Sequence, residues 1–172
     1  MFMKYKSLIP NFFTSLNLFM GLMAIIFLFD SNYFKSSMLI LIAAVLDRFD
    51  GRLARKFGAS TEFGKEFDSL CDLISFGVAP ALLMWNILLS KAGIIGVVVT
   101  VLFTLAGAVR LARYNITNFD GVYMGIPITL CGSFLALLCL GVNKAVNINI
   151  IMMLMIFLSY AMVSKKIRLK KR

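Results

Sequence analysis

SSMLILIAAVLDRFDGRLARKFGASTEFGKEFDSLCDLISFGVAPALLMWNILLS, residues 36–90, is two apolar stretches joined by a charged middle. The middle, residues 47–72, holds six of the eight acidic residues of the chain: Asp47, Asp50, Glu62, Glu66, Asp68 and Asp72. Gly58, Ala59 and Ser60 interrupt it with turn-forming residues. The stretch therefore reads as two helices, over about 36–56 and 62–90, meeting at a short turn with their acids on the same side. Acids there are costly. A carboxylate at the bilayer centre costs about 2.5–3.5 kcal/mol on insertion scales, and less near the interface. Crowding like charges adds to the cost unless cations neutralise them.

The apolar pattern extends in both directions. The chain has 172 residues, 60% of them hydrophobic, and a mean hydropathy of +0.90. Soluble domains are roughly 45–50% apolar. The excess falls in blocks of about 20 residues, the length that crosses a bilayer. Lipid-exposed backbone must satisfy its own hydrogen bonds, so continuous apolar runs predict helices and not a barrel. Six spans are expected, over about 12–29, 36–56, 62–90, 93–114, 124–142 and 147–164. They predict an all-α integral membrane protein with one membrane domain over residues 1–172. The start, Lys4 and Lys6 before an apolar stretch, imitates a signal peptide, but no clean cleavage site follows, and an uncleaved first span is expected.

Charge sets the expected orientation. With the N-terminus in the cytoplasm, 15 of the 18 basic residues fall inside, and only Lys35, Lys91 and Lys144 fall outside. An even number of spans puts both termini in the cytoplasm. The basic tail KKIRLKKR (165–172) then suits anionic lipid headgroups, and nucleic acid is not an expected partner. No histidine is present, which excludes His-dependent catalysis and zinc sites built on His. Cys71, Cys131 and Cys139 are an odd number in apolar surroundings and read as small buried hydrophobes. Asn115-Ile116-Thr117 fits a glycosylation sequon but falls on the side expected to be cytoplasmic.

Within DRFDGRLARKFGASTEFGKEFDSLCD (47–72), helical spacing puts Asp47, Asp50, Gly51, Ala54 and Arg55 on one face of the second span. It puts Thr61, Gly64, Asp68 and Asp72 on one face of the third. Four carboxylates on facing helices make a hard oxygen site suited to Mg²⁺ or Mn²⁺, and to two ions better than one. Gly51, Ala54 and Gly64 leave room for a flat ligand or for close helix packing. Arg55 offers a forked donor for a phosphate oxygen. Together these groups point to a diphosphate substrate. The plainer alternative is a network of salt bridges between the aspartates and Arg48, Arg52 and Arg55.

The skeleton Asp47-x2-Asp50-Gly51-x2-Ala54-Arg55-x8-Gly64-x3-Asp68-x3-Asp72 resembles, position for position, the signature of the CDP-alcohol phosphotransferases. The six-span layout is similar too. The resemblance implies transfer of a phosphatidyl-type group from a CDP-linked lipid to an alcohol with release of CMP, in a homodimer whose site faces the cytoplasm. It implies that Asp47, Asp50, Asp68 and Asp72 hold two metal ions and that Asp72 is also the general base. It assigns Asp50, Gly51, Ala54, Arg55, Thr61 and Gly64 to the CDP-lipid, with Asn11, Thr14 and Asn17 as further candidates. The flanking runs PNFFTSLNLFMGLMA (10–24), DLISFGVAPALL (72–83), RLARYN (110–115) and GIPI (125–128) resemble the phosphatidylserine synthases of bacteria and archaea. L-Serine is therefore the expected acceptor, with Arg110 or Arg113 to grip its carboxylate. The two arginines also fit plain anchors or contacts to the lipid phosphate. Glycerol phosphate or inositol phosphate remain rival acceptors. A cation transporter is a rival of another class, although no pair of broken helices in corresponding halves supports it.

Overall fold

The computed structural model describes residues 8–57, 61–116, 122–141, 147–166 and 168–170; at 8–10, 50, 53–57, 122, 123 and 168–170 only the backbone is described. Helix α1 (Leu8–Phe29) and helix α2 (Tyr33–Phe57) form a tight hairpin. Ser31 makes the turn at a positive φ of 53°. The amides of Ser31 and Asn32 close α1 on the carbonyls of Leu28 and Phe27 at 3.0 and 2.9 Å. The Asn32 side chain then accepts from the Lys35 amide at 3.2 Å and caps α2.

The third rod is broken into three windings. Helix α3 (Glu62–Asp72) passes into a π-helical stretch (Leu73–Val78), which passes into helix α4 (Ala79–Ile87). The wide turn has a local cause. Pro80 has no N–H to offer the Phe76 carbonyl, and the Ala79 amide reaches five residues back to Ile74. Ser75, Phe76 and Gly77 are buried there, and the stretch touches α1, α2 and two later helices. Those are α5 (Ile94–Ile116) and α6 (Ile128–Gly141); α7 (Ile148–Val163) packs mainly on α5. A side chain at Gly132 of α6 would collide with the Phe76 carbonyl, so two backbones meet at the centre of the bundle. Phe76, Phe103, Leu83, Met84, Leu135 and Met155 fill the core around it.

Helices fall in each of the expected apolar stretches, with two differences from the reading of the sequence. The fifth starts later than expected, at Ile128, because Gly125 (φ 76°) and Pro127 shape a turn before it. Val122–Met124 (β1) pairs instead as a three-residue antiparallel strand with Arg168–Lys170 (β2), so the regular structure among the described residues is helical apart from this small ribbon. Among the described residues, Asn11–Phe29, Glu62–Ile87 and Ile94–Ile116 are long and apolar enough to cross a membrane, and Ile128–Gly141 and Ile148–Val163 are apolar but shorter. Helix α2 has the length, but its second half is charged. Phe19, Ile26 and Phe29 on α1, Val101, Leu105 and Val109 on α5, and Met153 and Phe157 on α7 point outward, an exterior suited to lipid. Cys71 and Cys131 are buried and Cys139 is half-buried, all three as free thiols.

Candidate active site

The end of α2 and the end of α3 bring three of the four aspartates together. One carboxylate oxygen from each of Asp47, Asp68 and Asp72 lies within 4.8 Å of the other two. Oxygens on opposite sides of a divalent cation bound at about 2.0–2.6 Å are roughly 4–5 Å apart, so these three can share one ion. Asp72 is 8% exposed, and Asp47 and Asp68 are half-buried. Asp47 is in hydrogen-bonding reach of Asp72 and of Thr129 at the start of α6. Arg48 and Arg52 are exposed, whereas the three acids converge inward, which favours the metal site over a salt-bridge network. Asp50, Ala54 and Arg55 continue the same helix beyond Asp47, but their side chains lie outside the described residues. Gly51 has open space where a side chain would be.

Helix α1 covers the acids from one side. Asn17 is fully buried, and its Nδ2 donates to Asp72 Oδ1 at 3.1 Å. Ser75 Oγ donates to the Asn17 carbonyl at 3.1 Å, and Gly21, one turn on, lets Ser75 pack against the α1 backbone. Thr14 is also buried. Asn11 faces the start of α3: a methyl group added at Gly64 would sit 3.3 Å from Asn11 Oδ1 and 3.1 Å from Thr61 Oγ1. Thr61 has a local task, because its Oγ1 accepts from the Gly64 amide at 3.0 Å and caps α3.

A cavity of about 230 Å³ opens beside the acids. Its lining joins Asp68 and Asp72 to Lys65 and Ser69 of α3, Arg110, Leu111 and Tyr114 of α5, and Pro127 and Thr129. Arg110 Nε is buried without a hydrogen-bond partner among the described residues. The two arginines diverge. Arg110 lines the cavity, while Arg113 Nη1 donates to the Val163 carbonyl at 2.8 Å, at the end of α7. Lys65, Ser69, Tyr114 and Thr129 were not singled out in the sequence, although Lys65, Ser69 and Asp72 share one face of α3 at helical spacing. Asn115 is more than a sequon: it exchanges hydrogen bonds with Ser69 at 3.0 and 3.2 Å and donates to Glu66 at 3.0 Å. Its carbonyl accepts from Lys65 at 2.9 Å, and Lys65 lies 5.4 Å from the Tyr114 ring centroid. This network holds α3 against α5 at the cavity.

The model of the CDP-alcohol phosphatidyltransferase family matches residues 7–163. The chain belongs to that family. Three relatives are called CDP-diacylglycerol–serine O-phosphatidyltransferase. The one from Helicobacter pylori is 41% identical over 140 residues, 80% of this chain and 59% of its own. The one from Methanocaldococcus jannaschii is 38% identical over 136 residues, 79% of this chain and 62% of its own. The one from Bacillus subtilis is 34% identical over 158 residues, 91% of this chain and 87% of its own. The chain thus spans about three fifths of the length of the first two. Membership in the CDP-alcohol phosphatidyltransferase family and the apolar helices together make it a membrane-integral protein. Asp47, Asp68 and Asp72 are a group of hard oxygen ligands that could hold a divalent cation.

Proposed function

We propose that this protein transfers a phosphatidyl group from CDP-diacylglycerol to the hydroxyl of L-serine, giving phosphatidylserine and CMP. The observation that carries the reading is the cavity that joins Asp68 and Asp72 to Arg110 in one lining. Its 230 Å³ is below the roughly 300–1,000 Å³ of sites for drug-sized ligands, so it suits a small alcohol better than the whole CDP-lipid. The orphan Nε of Arg110 is a buried donor suited to an acceptor carboxylate. The names of the relatives support serine.

Asp47, Asp50, Asp68 and Asp72 would hold two divalent ions, Mg²⁺ or Mn²⁺, which supply charge stabilisation at the diphosphate when bound. Asp72 takes the proton of the serine hydroxyl as its oxygen attacks the lipid-side phosphorus. A new P–O bond forms there, the P–O bond to CMP breaks, and CMP leaves with the electron pair. Arg55 meets charge on the leaving phosphate, and Gly51, Ala54 and Gly64 give the nucleotide room. Asn11 and Thr14 border the CDP-lipid. The protein works as one membrane domain of six spans, both termini and the site facing the cytoplasm, in a homodimer.

The test is CMP release from CDP-diacylglycerol by purified protein with Mg²⁺ or Mn²⁺, across serine, glycerol phosphate, inositol and inositol phosphate. Serine alone should drive it. Lys65 and Arg110 in one cavity also fit a phosphate-bearing acceptor, and CMP release with glycerol phosphate in place of serine would establish that reading. No metal-dependent CMP release from any acceptor, with cation flux into vesicles, would establish a transporter.

A further inference from the structure

We propose that Asn17 is a positioning residue for Asp72, not a contact to the nucleotide. The inference rests on the proposed role of Asp72 as base. Asn17 has no exposed surface, and its amide nitrogen is already committed to Asp72 Oδ1 at 3.1 Å. An ionised carboxylate only accepts, so the amide must present its N–H₂ to Asp72. That orientation leaves Asn17 Oδ1 buried without a partner among the described residues. A buried unpaired carbonyl oxygen works against folding, and leucine would fill the same space without it. The residue is therefore explained by the bond it makes and not by packing.

The winding of the third rod gives that bond its purpose. Asp72 is the last residue before the π-helical stretch, and its own backbone is still α-helical (φ −61°, ψ −39°), which places its Cα but leaves the carboxylate free to choose among rotamers. From the side of α1 the carboxylate is held by Asn17. Asn17 grips the junction twice, through its amide on Asp72 and through its carbonyl, which accepts from Ser75. Close packing of Ser75 against Gly21 keeps α1 and the π-helical stretch in that register. With one carboxylate oxygen fixed by the amide, rotation of the group is restricted and the other oxygen keeps a set direction towards the site.

The test uses Asn17→Leu, which keeps the branched shape in a somewhat bulkier side chain and removes the donor, and Asn17→Ser, which leaves space for a bridging water. In both, folding is followed by monodispersity and thermal unfolding in detergent. In Asn17→Leu, kcat for CMP release should fall about tenfold or more. KM for CDP-diacylglycerol and its equilibrium binding should stay within about threefold. Asn17→Ser should fall between Asn17→Leu and the wild type. An unchanged kcat would overturn the proposal, as would weakened CDP-lipid binding at an unchanged kcat, which would make Asn17 a nucleotide contact. Failure of both variants to fold would assign Asn17 to packing and overturn it too. Wild-type protein that releases no CMP with any acceptor would remove the proposed function and this inference together; active wild type with an unimpaired Asn17→Leu would remove the inference alone.

Discussion

The acidic part of the cavity lining and the remainder are built in different ways. Asp68 and Asp72 come from one helix, and Asp47 joins them from the helix just before it in the chain. Arg110, Tyr114, Pro127 and Thr129 come from α5 and from the turn and first residues of α6, and they reach the acids only because the bundle folds. The acids are thus written into one hairpin, and the rest of the lining is distributed over the tertiary fold.

The strongest way to test the acidic part is Asp72→Asn. It keeps the shape and removes the base, so transfer should fall by about 10²–10⁴-fold, the usual contribution of general base catalysis. CDP-lipid binding should stay within a few-fold, measured at equilibrium. Full activity in this variant would end the base assignment. Asp68→Asn should act differently, because it removes a metal ligand and leaves the base in place. The Mn²⁺ concentration for half-maximal CMP release should rise by at least the roughly 10–100-fold that the loss of an outer-shell partner costs. CDP-lipid binding measured with metal present should weaken with it. If Asp68→Asn leaves the metal response unchanged, the convergence of the three carboxylates is not a metal site.

The remainder of the lining is tested by a pair. Arg110→Gln should raise KM for serine by about 10–100-fold, the loss of a hydrogen bond between charged groups. Arg113→Gln should leave that KM within about threefold and lower thermal stability instead, because Arg113 caps α7 through the Val163 carbonyl. Equal effects of the two variants on serine KM would contradict the divergence of the side chains.

The same contrast explains what could be read from the sequence. Carboxylates at helical intervals on two neighbouring helices are a local pattern, and Asp47, Asp68 and Asp72 were legible from spacing alone. Asn11–Phe29, Glu62–Ile87 and Ile94–Ile116 were legible because each is an apolar block of the right length. The π-helical stretch was not, although its cause is printed in the chain: Pro80 sits inside an apolar run and reads there as part of a continuous span, while the missing bond to Phe76 shows only once the backbone is wound. Asn115 was legible only as a sequon, because its bonds to Ser69, Glu66 and Lys65 exist only where α3 meets α5. The ribbon between Val122–Met124 and Arg168–Lys170 joins segments with all of α6 and α7 between them, and no local pattern predicts it. The motifs RLARYN and GIPI were noticed as resemblances; the fold explains them, since Arg110, Tyr114 and Pro127 from these motifs line the cavity.

The smallest expected effect sharpens the boundary between structure and chemistry within the acidic hairpin itself. Thr61 lies on the face that carries Asp68 and Asp72, which suggests a contact to the CDP-lipid, yet its Oγ1 already accepts from the Gly64 amide at the start of α3. A capping role predicts that Thr61→Ala costs about 1 kcal/mol of stability, read as a lowered Tm in detergent. Thr61→Asp keeps an oxygen at the cap and places a negative charge at the helix N-terminus, so its Tm should stay at or above that of the wild type. The same substitution would set a carboxylate near a diphosphate if Thr61 touched the nucleotide, and KM for CDP-diacylglycerol would then rise. A wild-type KM in Thr61→Asp makes Thr61 a capping residue that aims α3, with Asp68 and Asp72 on it, at the site. A raised KM with unchanged Tm would return Thr61 to the nucleotide.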